Sequence, residues 1–531
     1  MSLLDTLAIV TAILLFRPLA GLCAVAASVR QESLGDRWLL LQAVRTCPVA
    51  WGVIGLLAAL GVALGGWPAG DAGAVLRAAS VVIAGPLVWG AAFSHLNPWT
   101  ERTHAVERLL CVGLLVGLWF SPGFGVALIA MLLLQRAVLD RTMPIPLSTT
   151  DGRLATDGLI AIAALGAVSG VMPVAPAAWV FVLLCVFASS YLVPGIAKLR
   201  VGPRPGWWAS ENRLSNLAAS CRLHGWRLGL SDAGFARVIR LVRRVNGPML
   251  WGTLAIEVGA VLVFAHSDVA IGLLVAASAM HAGIFLLTGI CFWKWVVFNG
   301  ALVGVLVAMP AGAVGGAFGP AALVLGVAAC ALSPLWLRPI GLAWCDTRLT
   351  HLFEVEAVLP GGRVVEVPRN WWAPYDLAFA QSRFGFLCEA PTLVGACGCH
   401  TRRGRELADL AERIERAGED PCEMAALLDS HGDRRRDDIA AERMERFVVK
   451  FLKNCAGRRR WFLGVPPPPP HLWFMAKGPK LRLGDPVLET VRIVRRDIHY
   501  SDDGVYTEVA SMVALEVRLS GTDAAAARRA A

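Results

Sequence analysis

The sequence predicts an all-α polytopic membrane bundle of about eight to ten spans followed by a soluble α+β domain. Three observations predict it. In a chain of 531 residues, 56% are apolar and only 17% charged, an apolar excess that a soluble core of this size does not need. The excess is unevenly spread, with apolar runs of span length recurring through residues 1–340 and mixed charge with frequent turns over residues 341–522. Period-two alternation, the mark of half-buried strands, begins only past that boundary.

Lipid leaves a backbone polar group no partner but the chain itself, so runs of about 20 apolar residues are the unit to seek. The expected spans are Leu3–Ser28, Val49–Trp67, Val75–His95, Leu109–Gln135 with a break at Ser121-Pro122-Gly123, Gly158–Val174, Trp179–Lys198, Pro248–Phe264, Val269–Cys291, Trp295–Met309 and Ala317–Leu337. The amino terminus lacks the small-residue cleavage pattern of a removable signal, and its apolar stretch is read as the first span.

Residues 200–247 form an arginine-rich loop whose only acidic residues are Glu211 and Asp232, and the positive-inside rule places it in the cytoplasm. Within it Ser231 caps an amphipathic helix with Phe235, Val238, Ile239, Val242 and Val245 on one face and Arg237, Arg240 and Arg244 on the other. Gly247 is expected to end it. The alternatives are a helix lying in the membrane plane and an ordinary helix packed on the soluble domain.

In the domain over 341–522, residues 351–359 and 364–367 alternate about Pro360-Gly-Gly-Arg, a β-hairpin. Residues 487–500 and 506–517 flank Ser501-Asp-Asp-Gly as a second, and residues 402–453 read as helices between the two hairpins. Pro466–Pro470 is expected as a stiff polyproline spacer. The Ala/Arg-rich tail, residues 523–531, is expected to be disordered.

The net charge of +10 raises nucleic acid as a partner, but no basic patch interleaved with aromatics supports one, and the charge fits the loops of a membrane protein. The partners expected are therefore the lipid bilayer, in a multi-pass arrangement in the cell's inner (plasma) membrane, and a peptide or small-molecule substrate. The sequence contains no P-loop, GxGxxG, HExxH or Ser-His-Asp motif. Cys388, Cys397, Cys399 and His400 offer soft ligands, yet their spacing is not that of a zinc knuckle, and free thiols or a disulfide are expected instead of a metal.

An ionisable residue inside a span is costly and marks a candidate site. Arg17, Asp157, Lys198, His281 and Lys294 meet that description. Each has an ordinary alternative: Lys198 snorkelling to the interface, Lys294 anchoring there between two tryptophans, His281 satisfied in a core.

Tyr191-Leu-Val-Pro-Gly-Ile-Ala-Lys198-Leu199, followed by Trp207-Trp208, resembles the lysine motif of the vitamin K-dependent gamma-carboxylase and the wider horizontally transferred transmembrane (HTTM) family. Leu14-Leu15-Phe16-Arg17 is similar to that family's first-helix Phe-Arg element, and Met280-His281 through Leu287-Thr-Gly-Ile-Cys-Phe292 to its later histidine helix. Trp344-Cys-Asp, Gly361-Gly362-Arg363 and Gln381-Ser382-Arg383-Phe384 extend the likeness to about residue 385. The resemblance implies that Lys198 is the catalytic base that deprotonates a reduced quinone, with His281 stabilising or relaying charge. An amine in a low-dielectric setting favours its neutral form and can take up a proton. Where the animal carboxylase has an Asn-His pair this chain has Ala155-Thr156-Asp157-Gly158, so the resemblance does not extend to carbon dioxide handling. The noncatalytic alternative is a transporter or an assembly or immunity factor, in which the break near Pro122 and the glycine-rich residues 311–319 line a path.

Overall fold

A computed structural model describes residues 2–27, 55–56, 59, 66–93, 105–142, 150–226, 230–359, 361–367, 383–393, 405–434, 436–455, 468–469, 471–473, 490–501 and 505–518. It is mostly helical, with a small antiparallel sheet near the carboxyl end.

The helical part is organised around α6 (Pro176–Arg200), whose residues from Ala177 to Tyr191 are all buried. A helix apolar on every side needs an apolar surround, which lipid or other helices can supply, and here other helices supply it. Around it stand α1 (Leu3–Ala27), α5 (Thr150–Ser169), α9 (Asp232–Gly259), α11 (Trp293–Ala308) and α13 (Pro320–Ala331), while α2 (Gly70–Phe93), α3 (Ala105–Phe120) and α4 (Phe124–Thr142) pack outside them, and α10 (Ser267–Thr288) packs on α9 and α11. Glycine permits the closest approaches: a Cβ on Gly166 would lie 2.3 Å from the Pro122 ring, and one on Gly326 2.3 Å from Phe264.

Among the described residues six helices are long and apolar enough to cross a membrane, seven if one bent pair counts as a span, where eight to ten are expected over residues 1–340 as a whole. Val49–Trp67 falls mostly outside the described residues. Leu109–Gln135 is two shorter apolar helices because Ser121-Pro122-Gly123 ends the first. Trp295–Met309 forms as the 16-residue α11, an apolar helix shorter than the six. Ala317–Leu337 is broken, with residues 311–317 and 320–331 meeting at 53°.

The stretch around Pro248 corrects the sequence expectation. Ser231 does cap the helix, its Oγ accepting from the Gly234 N–H at 3.2 Å, but Gly247 does not end it. α9 runs for 28 residues through Gly247 and Pro248 and continues as a 3-10 turn to Phe264. The buried positions Phe235, Ile239, Val242, Asn246, Leu250, Leu254 and Glu257 form one unbroken stripe at helical spacing, so the expected in-plane helix and the expected span are one element.

Two short helices, α7 (Trp207–Glu211) and α8 (Leu214–Leu223), join the bundle to the sheet. Asn246 fixes them: its Nδ2 donates to the Asn212 carbonyl and its Oδ1 accepts from the Leu214 N–H, both at 2.9 Å. α8 then receives the sheet, with Ala219 and Leu223 against Leu352, Ile498 and Tyr500. The Tyr500 hydroxyl donates towards the carbonyls of Asn216 at 2.8 Å and Thr347 at 2.5 Å.

Both expected hairpins form. β1 (Leu349–Val358) and β2 (Val364–Glu366) turn through Gly361 and Gly362, both at positive φ, which glycine adopts without strain. β3 (Thr490–Tyr500) pairs with β4 (Tyr506–Arg518), and the antiparallel order is β2-β1-β3-β4. One face is covered by residues 383–387 and α17 (Asp438–Cys455), burying Phe353, Ile493, Phe384 and Phe447. α15 (Arg405–Ala417) and α16 (Pro421–His431) occupy the expected helical stretch. The polyproline spacer, except Pro468 and Pro469, and the tail 523–531 lie outside the described residues.

Candidate functional site

α6 presents two polar residues seven positions apart, Tyr191 and Lys198, which places them two turns apart on one face of the helix, about 10 Å along its axis. Each finds a polar partner on a neighbouring helix.

Lys198 pairs with Glu257 of α9. Its Nζ lies 2.6 Å from Oε1 and 2.8 Å from Oε2, and the two side chains are 3% and 8% exposed. The ring of Trp208 lies 5.3 Å from the same nitrogen. The snorkelling alternative is thereby excluded, because the ammonium turns into the bundle rather than out of it. Buried charges survive when opposed and hydrogen-bonded, and Glu257 meets both conditions. The contact depends on Gly195, where an added Cβ would stand 3.0 Å from Glu257 Cβ and 3.2 Å from the Val258 nitrogen. Substituting Gly195 with Leu is expected to part α6 from α9 and lower the thermal midpoint by several degrees. An unchanged midpoint in a melting scan would refute the close-approach role.

Tyr191 meets His281 of α10, its hydroxyl 2.8 Å from Nε2. Asn299 of α11 donates through Nδ2 to the same hydroxyl and to Ser278 Oγ, both at 3.2 Å. Trp295 and Phe292 wall the histidine, their ring centres 5.4 and 4.9 Å from it. Two buried atoms of this network, His281 Nδ1 and Asn299 Oδ1, have no hydrogen-bond partner among the described residues, and such atoms carry a desolvation cost that a bound polar group would relieve. Lys198 stands on this face of α6 itself and His281 is brought to it through Tyr191, without the two bonding each other.

The other sequence candidates have structural partners. Arg17 donates through Nε to the Leu335 carbonyl at 3.3 Å. Arg153 joins Asp157 at 3.2 Å and the carbonyls of Leu337 and Arg338 at 3.2 and 2.8 Å. Both arginines hold the carbonyl end of the bundle's last helical turn, where cations are favoured. Lys294 is not a free interfacial anchor, since it pairs with Asp151 at 2.6 Å.

In the carboxyl-terminal unit His351 and Asp497 face each other across β1 and β3, Nδ1 to Oδ1 at 2.5 Å. The pair has the look of a catalytic dyad, yet Nε2 accepts the Leu393 N–H at 2.9 Å. With both ring nitrogens engaged, the dyad is a structural tie. Cys388 is buried, which pushes its thiol up despite nearby Arg495. Cys397, Cys399 and His400 lie outside the described residues, and among the described residues no three His, Cys, Asp or Glu side chains gather as a metal ion requires.

Glu257, Tyr191, Asn299 and Ser278 were not among the sequence candidates. Glu257 is an ionisable residue inside an apolar stretch, the same signal that singled out Lys198. Tyr191 stands in the quoted lysine motif, but its role follows only from the packing of α10. No protein-family model, curated protein or solved structure matches this chain.

Proposed function

We propose that the chain is a multi-pass protein of the plasma membrane and an enzyme of the HTTM or gamma-carboxylase-like type. Its Lys198–Glu257 pair would take a proton from a lipid-soluble cosubstrate of the reduced-quinone class, and the product would modify a peptide or small molecule. The observation that carries this reading is the buried Lys198–Glu257 pair on the helix face that also carries the Tyr191–His281 contact. Six helices of spanning length and composition support the membrane.

The pairing changes the role expected of the lysine. An ammonium already bonded to a carboxylate is not a free base, so the base is the pair. When a substrate hydroxyl gives its proton to Glu257, the substrate oxygen becomes anionic and Lys198 loses its counter-charge. The ammonium then faces the new oxyanion, and the net charge of the site does not change. Keeping a low-dielectric site neutral throughout a proton transfer is what makes the step affordable there. His281 Nδ1 and Asn299 Oδ1 offer hydrogen bonds to the head of the same molecule.

Mass spectrometry of quinones and peptides from membranes of cells carrying the wild-type chain, compared with Lys198→Ala, tests the reading. A quinone-derived or peptide-derived species present with the wild type and absent with the variant is expected. Indistinguishable extracts would refute it. The 53° break between residues 311–317 and 320–331 favours a second reading as a transporter, since broken helices form midplane sites in such proteins. Solute flux into proteoliposomes that Lys198→Ala leaves intact would select it.

A further inference from the structure

The inward face of α9 is the stripe that ends on Glu257. Its outward face changes character along its length. From Arg237 to Arg244 it carries Arg237, Arg240 and Arg244, all exposed, at spacings of three and four that align them in one row. Beyond Arg244 the same side shows Trp251 at 52% exposed, and Leu262 follows at 48%. Among the described residues none of the three arginines bonds to a carboxylate, whereas Arg222 and Arg153 do. A row of unneutralised guanidinium groups followed on one continuous helix by exposed apolar side chains fits the boundary between a headgroup layer and hydrocarbon.

We propose that Arg237, Arg240 and Arg244 form a docking surface for the headgroups of anionic phospholipids. This rests on the membrane reading above and adds to it a lipid class and a depth. The guanidinium row presents donors that match phosphate oxygens, and a basic segment beside a span gains most from a negatively charged leaflet. From Arg244 to Glu257 the helix advances about 20 Å. With the arginines at the headgroups, the Lys198–Glu257 pair lies within the hydrocarbon layer, where a lipid-soluble reactant travels and a water-soluble one does not.

The test uses the full-length protein in nanodiscs of mixed phosphatidylglycerol and phosphatidylcholine, with bound lipids counted by native mass spectrometry. The wild type is expected to retain phosphatidylglycerol in preference to phosphatidylcholine. Each Arg→Gln change at 237, 240 or 244 is expected to reduce that preference about fivefold, and raised salt to reduce it further. Glutamine is a good helix former and the positions are exposed, so the fold is preserved. The control Arg446→Gln, on α17, leaves the preference unchanged. Equal retention of both lipids by the wild type, or a triple variant that keeps the wild-type preference, overturns the proposal. Carbonate extraction of cell membranes separates the two levels. A chain released by carbonate sinks the membrane reading and this surface together, while a chain that resists extraction but shows no lipid preference sinks only the surface.

Discussion

Glu257→Gln is expected to destabilise the helical bundle by about 3–5 kcal/mol, the cost of leaving one partner of a buried ion pair uncompensated, and to abolish turnover. Lys198 Nζ has two carboxylate oxygens within 2.8 Å and almost no exposure, so neither water nor another anion on α6 takes over when the carboxylate is removed. Lys198→Ala is expected to be destabilising for the mirror-image reason. Replacing both residues with apolar ones, Lys198→Met with Glu257→Leu, is expected to recover most of the stability, because no charge then remains in the low-dielectric interior. The double variant should still be inactive. Thermal unfolding of the detergent-solubilised full chain measures the first expectation, and the cell-extract assay measures the second. A Glu257→Gln protein that melts like the wild type would show that Glu257 does not neutralise Lys198. A stable double variant that retains activity would show that the pair is structural.

The double variant matters because a buried ion pair by itself is weak evidence of either stability or chemistry. Hydrophobic pairs of similar volume often hold a core as well, so a charged pair on a central, wholly apolar helix calls for another explanation. Here that explanation lies in the neighbourhood. Tyr191, His281, Asn299 and Ser278 form a second polar group on the same side of α6, with two polar atoms still unpartnered. A purely architectural network would be expected to close on itself.

Local patterns along the sequence were enough to anticipate the carboxyl-terminal sheet. Alternation over 351–359 and 487–500 and glycines at 361 and 362 are short-range signals, and the strands form there, at Leu349–Val358 and Thr490–Tyr500. α9 shows the opposite case. Gly247-Pro248 carries a strong local stop signal, and proline inside a helix costs roughly 3 kcal/mol, yet the buried stripe from Phe235 to Glu257 continues without losing its phase. Packing along that stripe outweighs the local penalty, which no window around Pro248 reveals. The site divides in the same way. Lys198 and His281 were legible as ionisable residues in apolar runs, whereas their partners Glu257 and Tyr191 follow only from the crossing of α6 with α9 and α10.

Acidification from neutral pH is expected to weaken the carboxyl-terminal unit in two separate steps. The first belongs to His499, buried with neither ring nitrogen bonded among the described residues. Burial and the nearby Arg348 lower its pKa from the ordinary 6.5, against a partial opposing effect of Glu419. The unfolded chain therefore binds a proton below about pH 6.5 that the folded chain refuses, and stability falls from there until the folded value is passed. The second belongs to Asp497. Burial pushes its carboxyl up, but His351 and the Arg495 guanidinium, 2.7 Å away, outweigh burial and hold it below the ordinary 3.8. Its contribution is full above the unfolded value and is lost as pH falls below about 4 towards the folded one. Hydrogen exchange of the β3 amides in the full chain, followed across pH, reads both steps. His499→Phe is expected to remove the first and leave the second. Asp497→Asn is expected to remove the second and to destabilise the unit by about 3–5 kcal/mol already at pH 7, since Arg495, 1% exposed, would then lose the carboxylate opposite it and be left with neutral acceptors such as the carbonyls of Ala390 and Pro391. A β3 strand in Asp497→Asn as protected at pH 7 as in the wild type would mean that neutral acceptors suffice for Arg495, and that the ion pair does not hold this end of the sheet.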